Sequence, residues 1–230
     1  ANTARLAGSG TITTAGTVSI NAQASSSGGT KWIDTPVVLN GTVTLASGNS
    51  KNLTLSNAIS GSGSVTTSGP AIVKLTTQAE GGFSGTMTIN TQGGAASTWV
   101  TTQALGSGAL VTNANSSFIY TGVAAPLIFR NTATGTYAGT ISGAGVVGST
   151  AATDQRPVFS GSNSYSGGTL IWGSIGYANA AAFGSGVISA MDASARIYND
   201  SGIPLALANP ISISSGMVIG FSGAGVTQFT

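Results

Sequence analysis

The sequence contains no cysteine and no histidine. The lack of cysteine excludes a disulfide framework and thiolate metal sites. The lack of histidine excludes His-based catalytic triads, imidazole metal ligands and imidazole pH switches. Transition metals would therefore find almost no side-chain ligands. We expect neither a metal site nor a cofactor.

Charged residues are also scarce, at 5% of the chain, against about 25% in an ordinary soluble domain. Such a composition is typical of extracellular and outer-surface bacterial proteins, which predicts that location here. The seven basic residues stand singly along the sequence. Since no basic stripe can follow a phosphate backbone, a nucleic-acid partner is not expected.

The acidic residues are too few and too dispersed to predict an enzyme. Polysaccharide-degrading sites need clustered carboxylates, and this chain has five acids: Asp34, Glu80, Asp154, Asp192 and Asp200. Seven residues separate even the two closest, Asp192 and Asp200. We interpret the acids as isolated turn residues and expect no catalytic residue.

Long apolar runs are missing as well. No stretch approaches the roughly 18–20 apolar residues that a membrane helix requires, and no basic-then-apolar signal segment leads the chain.

The segment from Phe221 to Phe229 reads as the opening of another repeat unit. We therefore expect head-to-tail self-association or a longer parent chain.

What the sequence does have is short alternating runs such as Thr17–Ile20, Thr42–Leu45, Asn52–Leu55 and Thr86–Ile89. A period of two places one side chain in the core and the next in solvent. Gly, Asn or Ser closes nearly every run, and these residues favour turns. Only the Ala-rich segment 178–183 and its repeat mate 100–105 suggest a helical turn. The chain is predicted to be all-β.

Parts of the sequence recur at intervals of about 80 residues. Residues 94–127 align without a gap on residues 172–205, 78 positions later, and Ile59–Gly63 returns as Ile141–Gly145, 82 positions later. A fixed period indicates a repeat architecture. We predict one right-handed parallel β-helix (solenoid) over residues 1–230, with degenerate units 1–73, 74–157 and 158–230. Tandem β-sandwich modules are the alternative.

The segment from Phe159 to Ile171, FSGSNSYSGGTLI, is followed by Phe183-Gly184-Ser185-Gly186-Val187. Through Asn163, Tyr165, Gly167 and Thr169 it resembles the autotransporter-associated β-strand repeat, and a weaker copy covers residues 74–89. The resemblance implies a passenger-type β-helix of a bacterial surface protein. On this basis the chain is expected to be a non-enzymatic segment of a stalk, adhesin or extracellular fibre.

The alternative function is a polysaccharide-binding or polysaccharide-degrading β-helix, including the phage tail-spike type. Four aromatic residues are candidates for stacking on surface glycans, provided that they lie exposed in a row: Trp32, Trp99, Trp172 and Tyr177. The repeat alignment places Trp99 and Tyr177 at the same position, which favours a packing role. The same alignment predicts that three pairs are buried at equivalent positions: Leu105 with Phe183, Ile119 with Ile197, and Leu127 with Leu205.

Overall fold

The computed structural model describes residues 4–22, 29–48, 51–75, 82–91, 97–113, 119–120, 123–124 and 127–230. In chain order the first strands are β1 (Ala4–Leu6), β2 (Ile12–Thr13), β3 (Thr17–Asn21), β4 (Lys31–Ile33), β5 (Val37–Val38), β6 (Thr42–Ala46), β7 (Leu53–Leu55), β8 (Ile59–Gly61), β9 (Ser64–Gly69), β10 (Ile72–Leu75), β11 (Gly82–Phe83), β12 (Thr86–Thr91) and β13 (Ser97–Val100).

The short helix α1 (Thr102–Leu105) follows, and after it the strands β14 (Ala109–Thr112), β15 (Ile119–Tyr120), β16 (Val123–Ala124), β17 (Leu127–Phe129), β18 (Gly135–Tyr137), β19 (Ile141–Gly143) and β20 (Val147–Ser149). A 3₁₀ turn, Thr153–Gln155, precedes β21 (Pro157–Phe159), β22 (Thr169–Ile171), β23 (Ser174–Tyr177), β24 (Ile188–Ala190), β25 (Arg196–Asn199), β26 (Leu205–Leu207), β27 (Ile211–Ile213), β28 (Gly220–Gly223) and β29 (Thr227–Phe229).

These strands form stacked parallel sheets. The ten-stranded sheet has the order β1-β4-β7-β10-β13-β17-β20-β22-β24-β27. A six-stranded sheet runs β19-β14-β12-β9-β6-β3, and two further sheets run β11-β8-β5-β2 and β18-β21-β23-β25-β28. Two pairs remain: β26–β29, which is parallel, and β15–β16, the one antiparallel pair of named strands in the described part of the chain.

Each coil stacks on the preceding one, as the solenoid prediction requires. Paired residues of the ten-stranded sheet lie between 19 positions apart (Thr169 with Ile188) and 29 positions apart (Thr98 with Leu127). Such spacing leaves each strand beside its successor one coil later, whereas a sandwich would need mainly antiparallel neighbours. The all-β parallel β-solenoid is confirmed, and the tandem-sandwich alternative is wrong.

The core is a set of columns that run through the coils. One column of the ten-stranded sheet consists of the third residue of each three-residue strand together with the residues that pair with it on the neighbouring strands. All members except those at the two ends are buried: Ile33, Leu55, Leu75, Val100, Phe129, Ser149, Ile171 and Ala190. Bulky rings fill the later coils, where Phe129 and Phe159 meet edge to face at 4.8 Å between centroids. Small aliphatics and stacked rings together exclude water from the interior.

A stack of glycines marks one corner of the solenoid, and all but the last of them lie just before the strands of the six-stranded sheet. A Cβ atom built on any of them except the first would overlap the carbonyl oxygen of the glycine one coil earlier, so the backbones must touch there. This close approach requires glycine. The stack comprises Gly16, Gly41, Gly63, Gly85, Gly108, Gly139 and Gly161.

The predicted buried positions are largely confirmed. Leu105, Phe183, Ile197 and Leu127 are buried, Leu205 is half-buried against the core, and the side chain of Ile119 lies outside the described residues. The positions within a pair are not equivalent throughout, because Leu127 belongs to β17 of the ten-stranded sheet and Leu205 to β26 of another. The structure recurs coil by coil, and the 80-residue unit stays a prediction.

Candidate functional site

The outer face of the ten-stranded sheet carries one continuous column of outward-pointing residues. Alternation along each strand puts its middle residue on this face while both neighbours point inward. The column changes character along the solenoid, from cationic and aromatic through apolar to small and polar: Arg5, Trp32, Thr54, Lys74, Trp99, Ile128, Gly148, Leu170, Ser189 and Ser212.

A groove of about 380 Å³ lies over the first part of this column. We call it the Trp groove. Its floor consists of Trp32, Thr54, Lys74 and Trp99, on four consecutive strands of the sheet, and loops that follow β17 and β20 contribute its wall: Arg130, Asn131, Thr132, Thr150 and Gln155. Trp32 and Trp99 stand three strands apart, which is roughly 14 Å at ordinary strand spacing.

Two cations lie over the ring of Trp99. The Nζ atom of Lys74 is 4.6 Å from the ring centroid, and the Cζ atom of Arg130 is 4.3 Å from it. Cation–ring contacts of this kind contribute about 0.5–1 kcal/mol each at exposed sites. They also hold the two charged groups in fixed places beside the groove.

The two cations repel each other. Burial lowers the pKa of Lys74, and the positive charge of Arg130 lowers it further, because both effects disfavour the protonated amine. None of the described residues that line the groove is acidic. Asp34, which follows β4, is hydrogen-bonded to Arg5 and Ser56, and these contacts lower its pKa.

Hydroxyl groups complete the floor and the wall of the groove. Thr54 is only 1% exposed, since the larger side chains of Trp32 and Lys74 flank it on adjacent strands. The Oγ1 atoms of Thr54 and Thr150 have no hydrogen-bond partner among the described residues. A buried hydroxyl without a partner costs free energy, and both oxygen atoms are shielded from solvent by the side chains around them.

The wall of the groove is anchored by a buried amide. Asn131 Oδ1 accepts a hydrogen bond of 3.0 Å from the backbone N–H of Thr102, and Asn131 Nδ2 donates one of 2.8 Å to Thr102 Oγ1. Asn131 is 3% exposed. Its neighbour Arg130 is exposed, so the anchored loop presents the guanidinium group to solvent at the rim.

The four aromatic candidates occupy different environments. Trp32 and Trp99 are half-buried and line the groove. Trp172 is 8% exposed and packs with Ile128 and Leu170 on the same outer face. Tyr177 is fully buried, and its hydroxyl hydrogen-bonds Thr227 Oγ1 at 2.8 Å. An exposed row of four rings is therefore not formed, because Trp172 and Tyr177 present no ring face to an external sugar.

The residues that carry the repeat resemblance have structural roles. Asn163 Oδ1 accepts a 2.8 Å hydrogen bond from the backbone N–H of Ile141, and Asn163 Nδ2 donates one of 2.6 Å to the carbonyl of Ala182. The buried hydroxyl of Tyr165 meets Thr169 Oγ1 at 2.6 Å, and burial raises the pKa of Tyr165. Asn163 thus satisfies backbone groups of neighbouring coils and Tyr165 a hydroxyl group of its own coil, so the motif is a folding motif.

The described acids do not gather into one site. Asp200 accepts two hydrogen bonds from Arg156, at 2.9 and 2.6 Å, and Asp192 accepts from the N–H and hydroxyl of Ser194. Glu80 lies outside the described residues. Among the residues that the structure describes, no group of three or more acids, histidines or cysteines could hold a metal ion.

Comparisons with protein-family models, with curated proteins and with solved structures find no match. Among the described residues, no helix has the length and apolar character that would let it span a membrane. The assignment of the protein to the parallel β-solenoids therefore depends on the strand pairing described above. The Trp groove is likewise defined by its lining residues and the distances between them.

Proposed function

We propose that this chain is a non-enzymatic structural or adhesive segment of a bacterial surface protein, part of a stalk, adhesin or extracellular fibre. The observation that carries the proposal is the ten-stranded parallel sheet, which extends from Ala4 to Ile213 through stacked coils. Such a stack lengthens with each coil and exposes a continuous lateral surface. The low charge and the Ser/Thr/Gly-rich surface support an extracellular setting.

The resemblance to the autotransporter-associated repeat supports the same proposal. The buried contacts of Asn163 and Tyr165 explain why such a motif would recur in stacked coils, whatever the lineage of the chain. The proposal includes that the coils of the solenoid are right-handed and that the chain belongs to a passenger-type surface protein.

Polysaccharide degradation is the less favoured alternative. General acid and base groups must lie within reach of one glycosidic bond, whereas Asp34, Asp192 and Asp200 are each engaged by separate partners. We expect incubation with pectin or alginate to release no reducing ends above buffer. Turnover that is lost on replacing Asp192 or Asp200 would revive the enzymatic alternative.

The proposed location can be tested on intact cells of the source organism. Antibodies raised against this chain should label the cell surface in immunogold microscopy, and brief protease treatment of intact cells should remove the label. A cytoplasmic antigen, probed in parallel, should be detected only after lysis. Label found solely inside the cells would overturn the proposal.

Head-to-tail association belongs to the same proposal. The buried column of the ten-stranded sheet ends in Leu6 at one end and Ile213 at the other, and both are more than half exposed. Interior positions also lie open at Phe221 and Phe229 in the last coil. We propose that the first coil of a second copy, or a further coil of a longer parent chain, covers this last coil. Parallel strand edges at the two ends are complementary, and repeated contacts of this kind generate filaments.

A further inference from the structure

We propose that the Trp groove binds an acidic polysaccharide, with Lys74 and Arg130 holding a carboxylate or sulfate group and Trp32 contacting the sugar ring. This inference gives the proposed surface function a ligand class and rests on that function. The site itself is defined by the groove of about 380 Å³ on the outer face of the sheet.

The charges in the groove point to an anion. Lys74 and Arg130 converge on one ring, 4.6 and 4.3 Å from its centroid, and no described lining residue offsets them. An anion bound beside this ring would offset their positive charge and accept charge-assisted hydrogen bonds from them. The planar guanidinium group of Arg130 suits a carboxylate or a sulfate in particular.

The uncharged groups of the groove point to a sugar. The rings of Trp32 and Trp99 stand roughly 14 Å apart, and the half-buried ring of Trp32 presents apolar surface to the C–H faces of a pyranose. Aromatic and cationic groups together match a chain of acidic sugars better than a free phosphate, which would need no aromatic ring beside it.

The groove ends at Trp99 on one side. Beyond it the outward column continues into Ile128, Gly148 and Leu170, which are buried, with Trp172 beside them. On the other side of the groove, the guanidinium Cζ of Arg5 is 5.6 Å from the ring centroid of Trp32. A short segment of a linear polymer could therefore lie across the strands between Arg5 and Arg130, following the axis of the solenoid.

Binding can be measured by isothermal titration calorimetry and by tryptophan fluorescence, because two of the three tryptophans line the groove. The probes are oligogalacturonate for a carboxylate, dextran sulfate for a sulfate, and neutral dextran as the matched uncharged polymer. We expect at least one acidic probe to bind, neutral dextran to fail, and the affinity to fall as salt is raised. Lys74→Met and Arg130→Met should each weaken binding about tenfold, and Trp32→Ala about fivefold.

Arg196→Met is the matched control, since it removes one positive charge from β25 on a different sheet. It should bind as the unmodified chain does. Circular dichroism checks the fold of each variant, and the exposed Arg130 carries the test if Lys74→Met does not fold. Binding to one acidic probe alone supports the proposal and identifies the anionic group.

Three results would overturn the inference. They are the absence of binding to both acidic probes, equal binding of neutral dextran, and an equal loss of binding in Arg196→Met, which would indicate unspecific attraction. None of these results bears on surface labelling of intact cells. Failure of the groove and failure of the proposed surface function are therefore distinguishable.

Discussion

Single side chains at the turns of the solenoid carry large parts of its stability. Phe183 is fully buried, with ring centroids 6.3 Å from Phe159 and 5.5 Å from Tyr177. In the sequence it was recognisable as an apolar residue before Gly-Ser-Gly, at the end of an Ala-rich turn. The structure adds that it joins a cluster of rings from neighbouring coils, which no local pattern could have predicted.

Replacing Phe183 with alanine should lower the free energy of unfolding by about 3–5 kcal/mol, because the cavity left among packed rings cannot close. Urea denaturation followed by circular dichroism measures the change. Val187→Ala is the control, since that side chain is 42% exposed and its loss should cost about 1 kcal/mol or less. Equal effects of the two substitutions would contradict a packed aromatic interior at Phe183.

The Trp groove shows which features of the structure the sequence pattern could not predict. The sequence identified Trp32 and Trp99 as candidate sugar contacts, and both line the groove. It missed Lys74 and Arg130 as their partners, because the chain separates Lys74 from Arg130 by more than two coils. Only the strand register brings them over one ring. Trp172 looked equivalent to the other tryptophans, yet it is covered by its neighbours on the same face.

At the scale of the strand and its turn, the repeating unit is one coil. A glycine precedes a short alternating run in coil after coil, as at Gly41-Thr42-Val43, Gly63-Ser64-Val65 and Gly85-Thr86-Met87, with intervals of 22 residues. The sequence predicted the strands and the parallel solenoid from this alternation. A parallel β-helix implies coils of about 20–25 residues, but the sequence did not reveal where each coil begins, because side-chain identity is weak between coils and stronger at the longer offset. What recurs from coil to coil is the contact between backbones at the glycine corner, and the glycine is the one residue type that this contact requires.

Gly85→Ala tests the glycine stack. Its Cβ atom would overlap the carbonyl oxygen of Gly63 in the coil beneath, and a backbone atom cannot move aside cheaply. We expect a loss of about 3 kcal/mol in the free energy of unfolding.

Gly82→Ala, in the preceding strand β11, is the matched control. Its Cβ atom would meet only Ser60 Cβ, at the ordinary distance of 3.6 Å. Chemical denaturation should show a change within about 0.5 kcal/mol for this exposed position. A tolerated Gly85→Ala substitution would mean that the coils do not touch at this corner.

At the scale of the whole molecule, the two ends differ from the middle. The columns of side chains that are buried in the middle coils end in exposed apolar residues. The strands at each end pair with a neighbouring strand on one side only. Charge cannot keep copies apart, because the formal net charge is only +2. The physical features that stabilise one coil on the next therefore also favour a second copy on the last coil.

Head-to-tail stacking makes a prediction that other modes of association do not share. Leu6→Lys places a charge on the first coil and Phe221→Lys one on the last, and each should abolish filament growth because a charge would be buried in the contact. The unmodified chain should form oligomers that persist at high salt, since no ion pair holds the contact. Val187→Lys, an exposed position beside the two-sided strand β24, should associate normally.

Mixing the two end variants gives the sharpest result. The intact last coil of the Leu6→Lys chain can still accept the intact first coil of the Phe221→Lys chain, so the mixture should form dimers and nothing larger. Analytical ultracentrifugation at equal concentrations measures this, with each variant alone as the monomeric reference. An unmodified chain that stays monomeric at high concentration, or a mixture that stays monomeric while the unmodified chain oligomerises, would show that a second copy does not cover the last coil in this way.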